Sequence, residues 1–351
     1  MEWENVQFSA EDRVGQVLTA LASQVAELAT AVNDGRFPLE IVLPLELLVL
    51  FDPERLPADE IERAVTGALP AGTMLRVRFI PAPGLDYFAM KNHGARRATG
   101  DLVICLDSDV IPQPGWLVAI VGAFVDPDVN AIASQAFVRS DSLYSRTVAL
   151  TWLFDLPADT RDLRPAKHFH ANGAAFRREV LLAHPYPDLP GQSRGAGWDL
   201  FLELTAAGIC VYEHAGALLD HPPPNGLANY CRRAMAHGND DWLSICRRRG
   251  KRSGRLGRSI RRALRKWRSA VANLWRYGAQ VGLSLPALPA AVGLVSLYFS
   301  CYFAGDLLAR LRRPAAQSGS DDSSGSRLVE GESQETSAKV PAPAIPHCNA
   351  A

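Results

Sequence analysis

From residue 45 to residue 125 the chain alternates short apolar runs with segments of helical period, and this restricts the fold more than any other feature. Residues 45–51 form an apolar run stopped by Asp52-Pro53, which reads as a buried strand and a turn. Residues 59–69 have helical spacing and end near Pro70-Ala71-Gly72. Residues 75–80 alternate as a strand and are broken by Pro81-Ala82-Pro83-Gly84. A helix is predicted over 87–97, a strand over 102–106 and a helix over 116–125. Such alternation predicts an α/β layer structure with a mostly parallel central sheet. Ahead of it, Val14, Val17, Leu18, Leu21, Val25 and Leu28 mark a helix within 10–33. Beyond it, 130–220 reads as mixed, with a strand near 131–138, a short apolar segment at 170–176 and a helix over 199–207. Another helix is predicted over 227–245.

The 37 basic and 37 acidic residues cancel, so net charge says nothing about partners, but their placement does. The stretch 247–268 is rich in Arg and Lys and holds no acid, and 277–305 has no charged side chain. A bilayer core needs about 20 apolar residues as helix, so the second stretch is long enough to span. Basic side chains lie before it, and Arg310, Arg312 and Arg313 follow. The resulting expectation is a basic juxtamembrane helix at 246–276 and a transmembrane segment at 277–309, with a soluble core helix as the alternative. Clustered arginines suit nucleic acid, anionic lipid head groups or a plain solvated face. Their position before an apolar helix favours lipid, at about 1 kcal/mol per basic residue, so no nucleic-acid partner is expected. The tail 314–351, rich in Ser, Gly, Glu and Pro, is expected to be disordered. Six cysteines lie far apart without a C-x-x-C pair, which reads as small buried hydrophobes in a reducing compartment. The acidic, amphipathic start does not read as a cleavable signal.

Asp107-Ser108-Asp109 directly follows the apolar strand Leu102-Val103-Ile104-Cys105-Leu106. Open α/β sheets bind ligands at the carboxyl ends of their strands. Two hard oxygen donors so placed can hold a divalent ion against a diphosphate. A turn capped by Asp and Ser is the structural alternative.

The run from Lys91 through Asn92, Gly94, Ala98, Gly100 and Asp101 to Asp107-Ser108-Asp109 resembles the inverting family 2 glycosyltransferases of GT-A fold. Residues 47–52, ending in Asp52, look like that family's second strand. Asn172-Gly173-Ala174-Ala175-Phe176-Arg177-Arg178-Glu179 looks like its acceptor-side segment, and Trp198-Asp199-Leu200 like its later helix. His221-Pro222-Pro223 with Tyr230 and Arg233 resembles its closing region, so the likeness covers about 39–245. The resemblance implies a Rossmann-like GT-A domain over 1–245, followed by a C-terminal hydrophobic helix. It implies a nucleoside-diphosphate sugar donor, Mg²⁺ or Mn²⁺, and transfer to an acceptor hydroxyl. By resemblance Asp52 contacts the base, Lys91 the nucleotide and Asp107 the ribose. Asp109 meets the metal, and His221 or Arg233 the diphosphate, with His221 also a candidate metal ligand. A helix lysine, a turn histidine and a solvated arginine are the structural readings of Lys91, His221 and Arg233.

Two departures stand out. Where the family has a Glu-Asp pair this chain has Ala196-Gly197, so Asp199 becomes the candidate base, with a helix N-cap as its other reading. Family members also open with a buried strand ahead of the first helix. Here Trp3-Glu4-Asn5 matches only the end of the loop that follows such a strand, so two open sheet edges are expected. The combined expectation is a cytoplasm-facing, membrane-tethered transferase acting on a lipid-linked or cell-envelope acceptor. The rival is a membrane-tethered scaffold that keeps the fold and binds nucleotide without turnover.

Overall fold

The computed structural model describes residue 1 and residues 13–38, 40–151, 163–249 and 256–312. Its first helix, α1 (Arg13–Asn33), buries Val14, Val17, Leu18, Leu21, Val25 and Leu28 on one face. The apolar run at 45–51 is strand β1 (Leu45–Phe51), which pairs in parallel with β2 (Leu75–Pro81) across helix α2 (Ala58–Ala68). Helix α3 (Tyr87–Arg97) takes its N-cap from Asp86, whose side chain accepts from Ala89 N at 2.8 Å. It leads into β3 (Leu102–Cys105), then β4 (Ile111–Pro112) and α4 (Trp116–Ala123). Helix α4 starts at Gly115 without a cap of its own. Instead α1 supplies acceptors: Glu27 takes Gly115 N at 3.0 Å and Gln24 takes Leu117 N at 3.1 Å.

The second half adds β5 (Ala131–Phe137), α5 (Leu143–Thr151), β6 (Leu163–Pro165), β7 (Ala174–Arg177) and α6 (Arg178–Ala183). Then come α7 (Ala196–Ala206), β8 (Val211–Asp220), α8 (Gly226–Arg249), α9 (Leu256–Tyr277) and α10 (Leu288–Leu311). The larger sheet runs β3-β7-β5-β8-β4, with β6 also on β8. The fold class is α/β as expected, but the sheet is mixed rather than mostly parallel. Among the described strands only β1–β2 and β5–β8 are parallel, and β3–β7, β5–β7, β4–β8 and β6–β8 are antiparallel. The reason is that β7 enters the sheet between β3 and β5 against both of them. Gly173 makes that entry fit. Its φ is +149°, and a Cβ there would meet Leu219 Cδ1 at 2.1 Å.

Strand side chains alternate between two cores. Leu102, Ile104 and Leu106 pack with α1, α2 and α4, while Val103 and Cys105 pack with α3, α6 and α7. The edge of β1 away from β2 bonds the Met1 backbone: the N-terminal ammonium donates to Leu48 O at 2.8 Å, and Leu50 N donates to Met1 O at 2.9 Å. Residues 3–5, matched above to a loop end, lie outside the described residues. So does the tail 314–351.

A third core joins α5, α8, α9 and α10. Helices α8 and α10 meet backbone to backbone. A Cβ at Gly238 would lie 1.8 Å from Tyr302 O, and one at Gly305 would lie 1.9 Å from Met235 O. Leu285–Leu311 is the one described segment long and apolar enough to cross a membrane, and 33% of its most apolar window is buried inside the protein. Asp306, in α10, is fully buried. Ser259 Oγ donates to it at 2.9 Å, Arg310 Nε at 2.6 Å, and Arg262 pairs with its other oxygen.

Candidate functional site

Strand β3 delivers Asp107, Ser108 and Asp109 to the carboxyl end of the sheet, where all three are buried. Their carboxylates have different company. Asp107 accepts from Lys91 Nζ at 2.7 Å and from the Tyr87 hydroxyl at 2.8 and 2.9 Å. Lys91 and Tyr87 are one turn apart on α3, so both reach the same carboxylate, and the ammonium also sits 4.4 Å from the Tyr87 ring centroid. Lys91 is thus a buried ion-pair partner, not an exposed helix lysine.

Asp109 is 2% exposed, and its Oδ1 has no hydrogen-bond partner, as is true of Ser108 Oγ. Burial, with the Asp107 charge beside it, pushes the Asp109 carboxyl up to about 7, against the opposing pull of Arg233 and Arg13. Native interiors rarely leave such an atom unmatched, and one at a strand end points to a ligand.

Arg13, at the start of α1, ties this loop to the end of β8. Its Nε donates to Asp109 O at 2.9 Å and its Nη2 to Asp220 O at 3.0 Å. The Asp220 carboxylate pairs with Arg13 at 3.5 Å and Arg139 at 3.1 Å. His221 follows, buried, with Nδ1 donating to Pro222 O at 2.8 Å, which leaves Nε2 as the lone-pair nitrogen. Burial, then the Arg233 charge, lowers its pKa to about 3, so it stands neutral, the form that binds metal. On α8, burial and Arg194 lower the Arg233 pKa while Asp109 and Asp107 oppose the shift, which places Arg233 in the electrostatic field of both carboxylates.

Among the described residues no three His, Cys, Asp or Glu side chains converge as a ready metal cage. A Mg²⁺ or Mn²⁺ ion does not need one, since such ions take one or two protein ligands and fill the shell with water and phosphate oxygens. The unmatched Asp109 Oδ1 and the neutral His221 are donors of the right chemistry.

Asp52 ends β1 with its carboxylate already engaged. Glu54 N donates at 3.0 Å, Gly84 N at 3.4 Å, and Arg55 lies 3.3 Å away. Asp199 sits in the first turn of α7, whose N-cap position is Gly195, and pairs with Arg247 and Arg248 of α8. Those two guanidiniums hold it as a bridge between helices. Sequence reasoning missed Arg13, Tyr87 and Asp220. Tyr87 was recoverable from its i, i+4 spacing to Lys91, and Asp220 from standing, like Asp107, beside a strand end. Arg13 carried no local signal.

Beside this cluster lies an open cleft of about 700 Å³ between the start of α3, the loop 191–193 and helices α8 and α10. Tyr87 belongs to both. The cleft wall also includes Arg232 and Asp240 from α8 and Gly305 and Arg312 from the end of the chain's last described helix.

Residues 57–183 match the family described as glycosyl transferase family 2. Over 156 residues the chain is 39% identical to the pre-mycofactocin glycosyltransferase of two Mycobacterium tuberculosis strains, covering 43% of this chain and 33% of theirs. The chain therefore spans about a third of the length of those curated relatives. Among solved structures, a mannosyltransferase from Pyrobaculum calidifontis in complex with GDP-Man and Mn²⁺ aligns with TM-score 0.44 and 16% identity, over 82% of this chain and 84% of that one. GalNAc-T7 with UDP, GalNAc and Mn²⁺ aligns with TM-score 0.40 and 12% identity, over 59% of this chain and 45% of that one.

Proposed function

We propose that this chain, which carries a family 2 glycosyltransferase region, moves a sugar from a nucleoside diphosphate to an acceptor hydroxyl. The observation behind this reading is the unmatched Asp109 Oδ1 next to a fully engaged Asp107 at the end of β3. Asp107, fixed by Lys91 and Tyr87, presents a rigid acceptor edge to a ribose hydroxyl, and Asp52 lines the neighbouring strand end for the base. Asp109 and His221 are the side chains that would hold a divalent ion, which would supply positive charge against the departing diphosphate. Arg233 supports the same charge from α8.

The test is release of nucleoside diphosphate from UDP- and GDP-sugars by the full chain with Mn²⁺ or Mg²⁺. Release that is abolished by EDTA and lowered at least 100-fold by Asp109→Ala is expected. Nucleotide binding without release from any donor would establish the scaffold instead.

Membrane association belongs to the same proposal, on the basic helix rather than on the apolar segment after it. On α9, Leu256, Ile260, Leu264 and Trp275 form an exposed apolar ridge, and Arg258, Arg261, Arg265 and Arg268 form an exposed basic ridge beside it. That pairing suits a helix lying in the plane of an anionic lipid surface. A lone span by α10 sits poorly with its packing. Tyr230 bonds Leu294 O, His237 bonds Tyr298, and Gly238 abuts Tyr302, so α8 follows α10 along most of its length. A lipid-linked acceptor and a cytoplasmic face belong to the same proposal. Co-sedimentation with phosphatidylglycerol vesicles but not phosphatidylcholine ones, lost in an Arg261→Gln, Arg265→Gln, Arg268→Gln variant, is the expected result.

A further inference from the structure

The transferase reading needs a group to take the acceptor's proton, and Asp199, doubly paired to Arg247 and Arg248, is poorly placed for it. We infer that the cleft of about 700 Å³ beside Tyr87 is where the acceptor hydroxyl enters, and that Asp240 of α8 is the carboxylate that receives its proton. This rests on the transferase reading and deepens it.

Three observations carry the assignment. First, the cleft lining holds two carboxylates, Asp86 and Asp240. Asp86 caps α3 through one oxygen and is exposed, so it lacks the burial that strengthens a base. Asp240 has no cationic partner within salt-bridge reach among the described pairs. Its Oδ2 accepts from Ser193 N at 3.1 Å and Ser193 Oγ at 2.9 Å, and its Oδ1 from Asn239 Nδ2 at 3.0 Å. These neutral donors orient the carboxylate without quenching it; Oδ2, with two bonds, is filled, while Oδ1, with one, keeps a lone pair for the proton.

Second, Asp240 is 4% exposed while sitting in the wall of an open cleft, so only its edge meets solvent. Burial raises its proton affinity, with Asn239, Ser193 and Arg194 opposing, which makes it a stronger base than a surface carboxylate. Third, the cleft joins the donor cluster directly. Tyr87 lines one and bonds Asp107 of the other. Arg194 acts electrostatically on both Asp240 and Arg233, and Arg233 on Asp109. Asp240 also binds the loop just ahead of Ala196-Gly197, so a helix-borne carboxylate faces the place where the loop itself offers none.

The step balances. As the acceptor O–H bond breaks, its proton passes to Asp240 and its oxygen forms a bond to the sugar's anomeric carbon. The bond from that carbon to the diphosphate oxygen breaks, and the diphosphate leaves with the electron pair. Water is the simplest acceptor, so donor hydrolysis reports the same proton transfer.

The experiment uses the full chain with Mn²⁺, UDP- and GDP-sugars as donors and water as acceptor. It measures diphosphate release together with UDP and GDP binding by calorimetry. Asp240→Asn should cut release at least 100-fold with nucleotide Kd changed less than threefold. It should also remove the acid limb of the wild-type pH–rate profile, since release rises with pH as the base loses its proton. Asp240→Glu should restore part of the rate and the limb. Release in Asp240→Asn within tenfold of wild type overturns the assignment while leaving the transferase reading intact. Equal loss of release and of nucleotide binding overturns it too, as a structural role. A wild-type chain that binds nucleotide yet releases none overturns the transferase reading and this assignment with it.

Discussion

Two buried carboxylates, Asp109 at the end of β3 and Asp306 in α10, sit in surroundings of opposite character. Asp306 receives a serine hydroxyl and two guanidiniums, so every oxygen is matched from within the chain. Asp109 keeps a buried oxygen with no hydrogen bond, and its charge is compensated only at a distance by Arg13 and Arg233. Both are almost fully removed from solvent, so burial alone does not separate a structural acid from a functional one. The count of satisfied lone pairs does. The carboxylate of Asp306 has been used by the fold, whereas Asp109 is the one proposed above to receive a ligand.

That contrast is open to direct attack. The largest effect is expected at the saturated site: Asp306→Ala leaves Arg262 and Arg310 without their anion and should cost about 3–5 kcal/mol in chemical denaturation. A cost below about 1 kcal/mol would dissolve the contrast. Next comes the helix crossing that the Asp306 cluster steadies. Gly305→Val drives a side chain into the Met235 carbonyl and should cost at least about 3 kcal/mol, read as a lowered urea midpoint.

A smaller effect in the helical region is read by pH. His237 faces Lys266, Asp241, Arg194, Arg262 and Tyr298, and burial, then Lys266, lowers its pKa to about 3. A histidine depressed in the fold contributes stability that is present above its unfolded pKa and lost as pH falls below about 6.5. By linkage the loss is about 2 kcal/mol at pH 5, and His237→Gln should flatten that part of the stability–pH curve. A change of the opposite sign is expected at the unsaturated site. Asp109→Asn should raise ΔG at pH 7 in the absence of ligand, because it removes a buried carboxylate whose pKa burial and Asp107 push up to about 7 and breaks no hydrogen bond to Oδ1. The same variant should weaken Mn²⁺-dependent nucleotide binding at least tenfold by calorimetry.

The regions also differ in how far the sequence reveals them. Residues 45–106 were legible because each element carries its own signal: an apolar run closed by Asp-Pro, a capped helix, a strand ending in two acids. The order of α2, β2, α3 and β3 follows directly. Strand β8 was not legible. Its sequence mixes polar and apolar residues because it pairs with β5, β6 and β4 in turn, and its register on β5 shifts after Ser134. The mixed sheet escaped for a related reason, since the direction of β7 is set by its neighbours and not by its own four residues. Asp107, Asp109 and His221 announced themselves by position. Asp240 did not, because its partner Ser193 lies 47 residues away and nothing in a helical Asn-Asp-Asp run singles out the middle acid. The apolar stretch after residue 277 carries the length and composition of a span, and composition does not register the glycine crossing that packs it on α8.

That crossing has a mechanical consequence. With peptide backbones touching at Gly238 and Gly305 there is no layer of side chains to absorb strain, so α8 and α10 move as one lever. Gly305 and Leu308 form part of the cleft wall, and Asp240 stands two residues beyond Gly238 on the same stiff arm. The cleft wall that carries Asp240, Gly305 and Leu308 is therefore one stiff face, built on two backbones in contact.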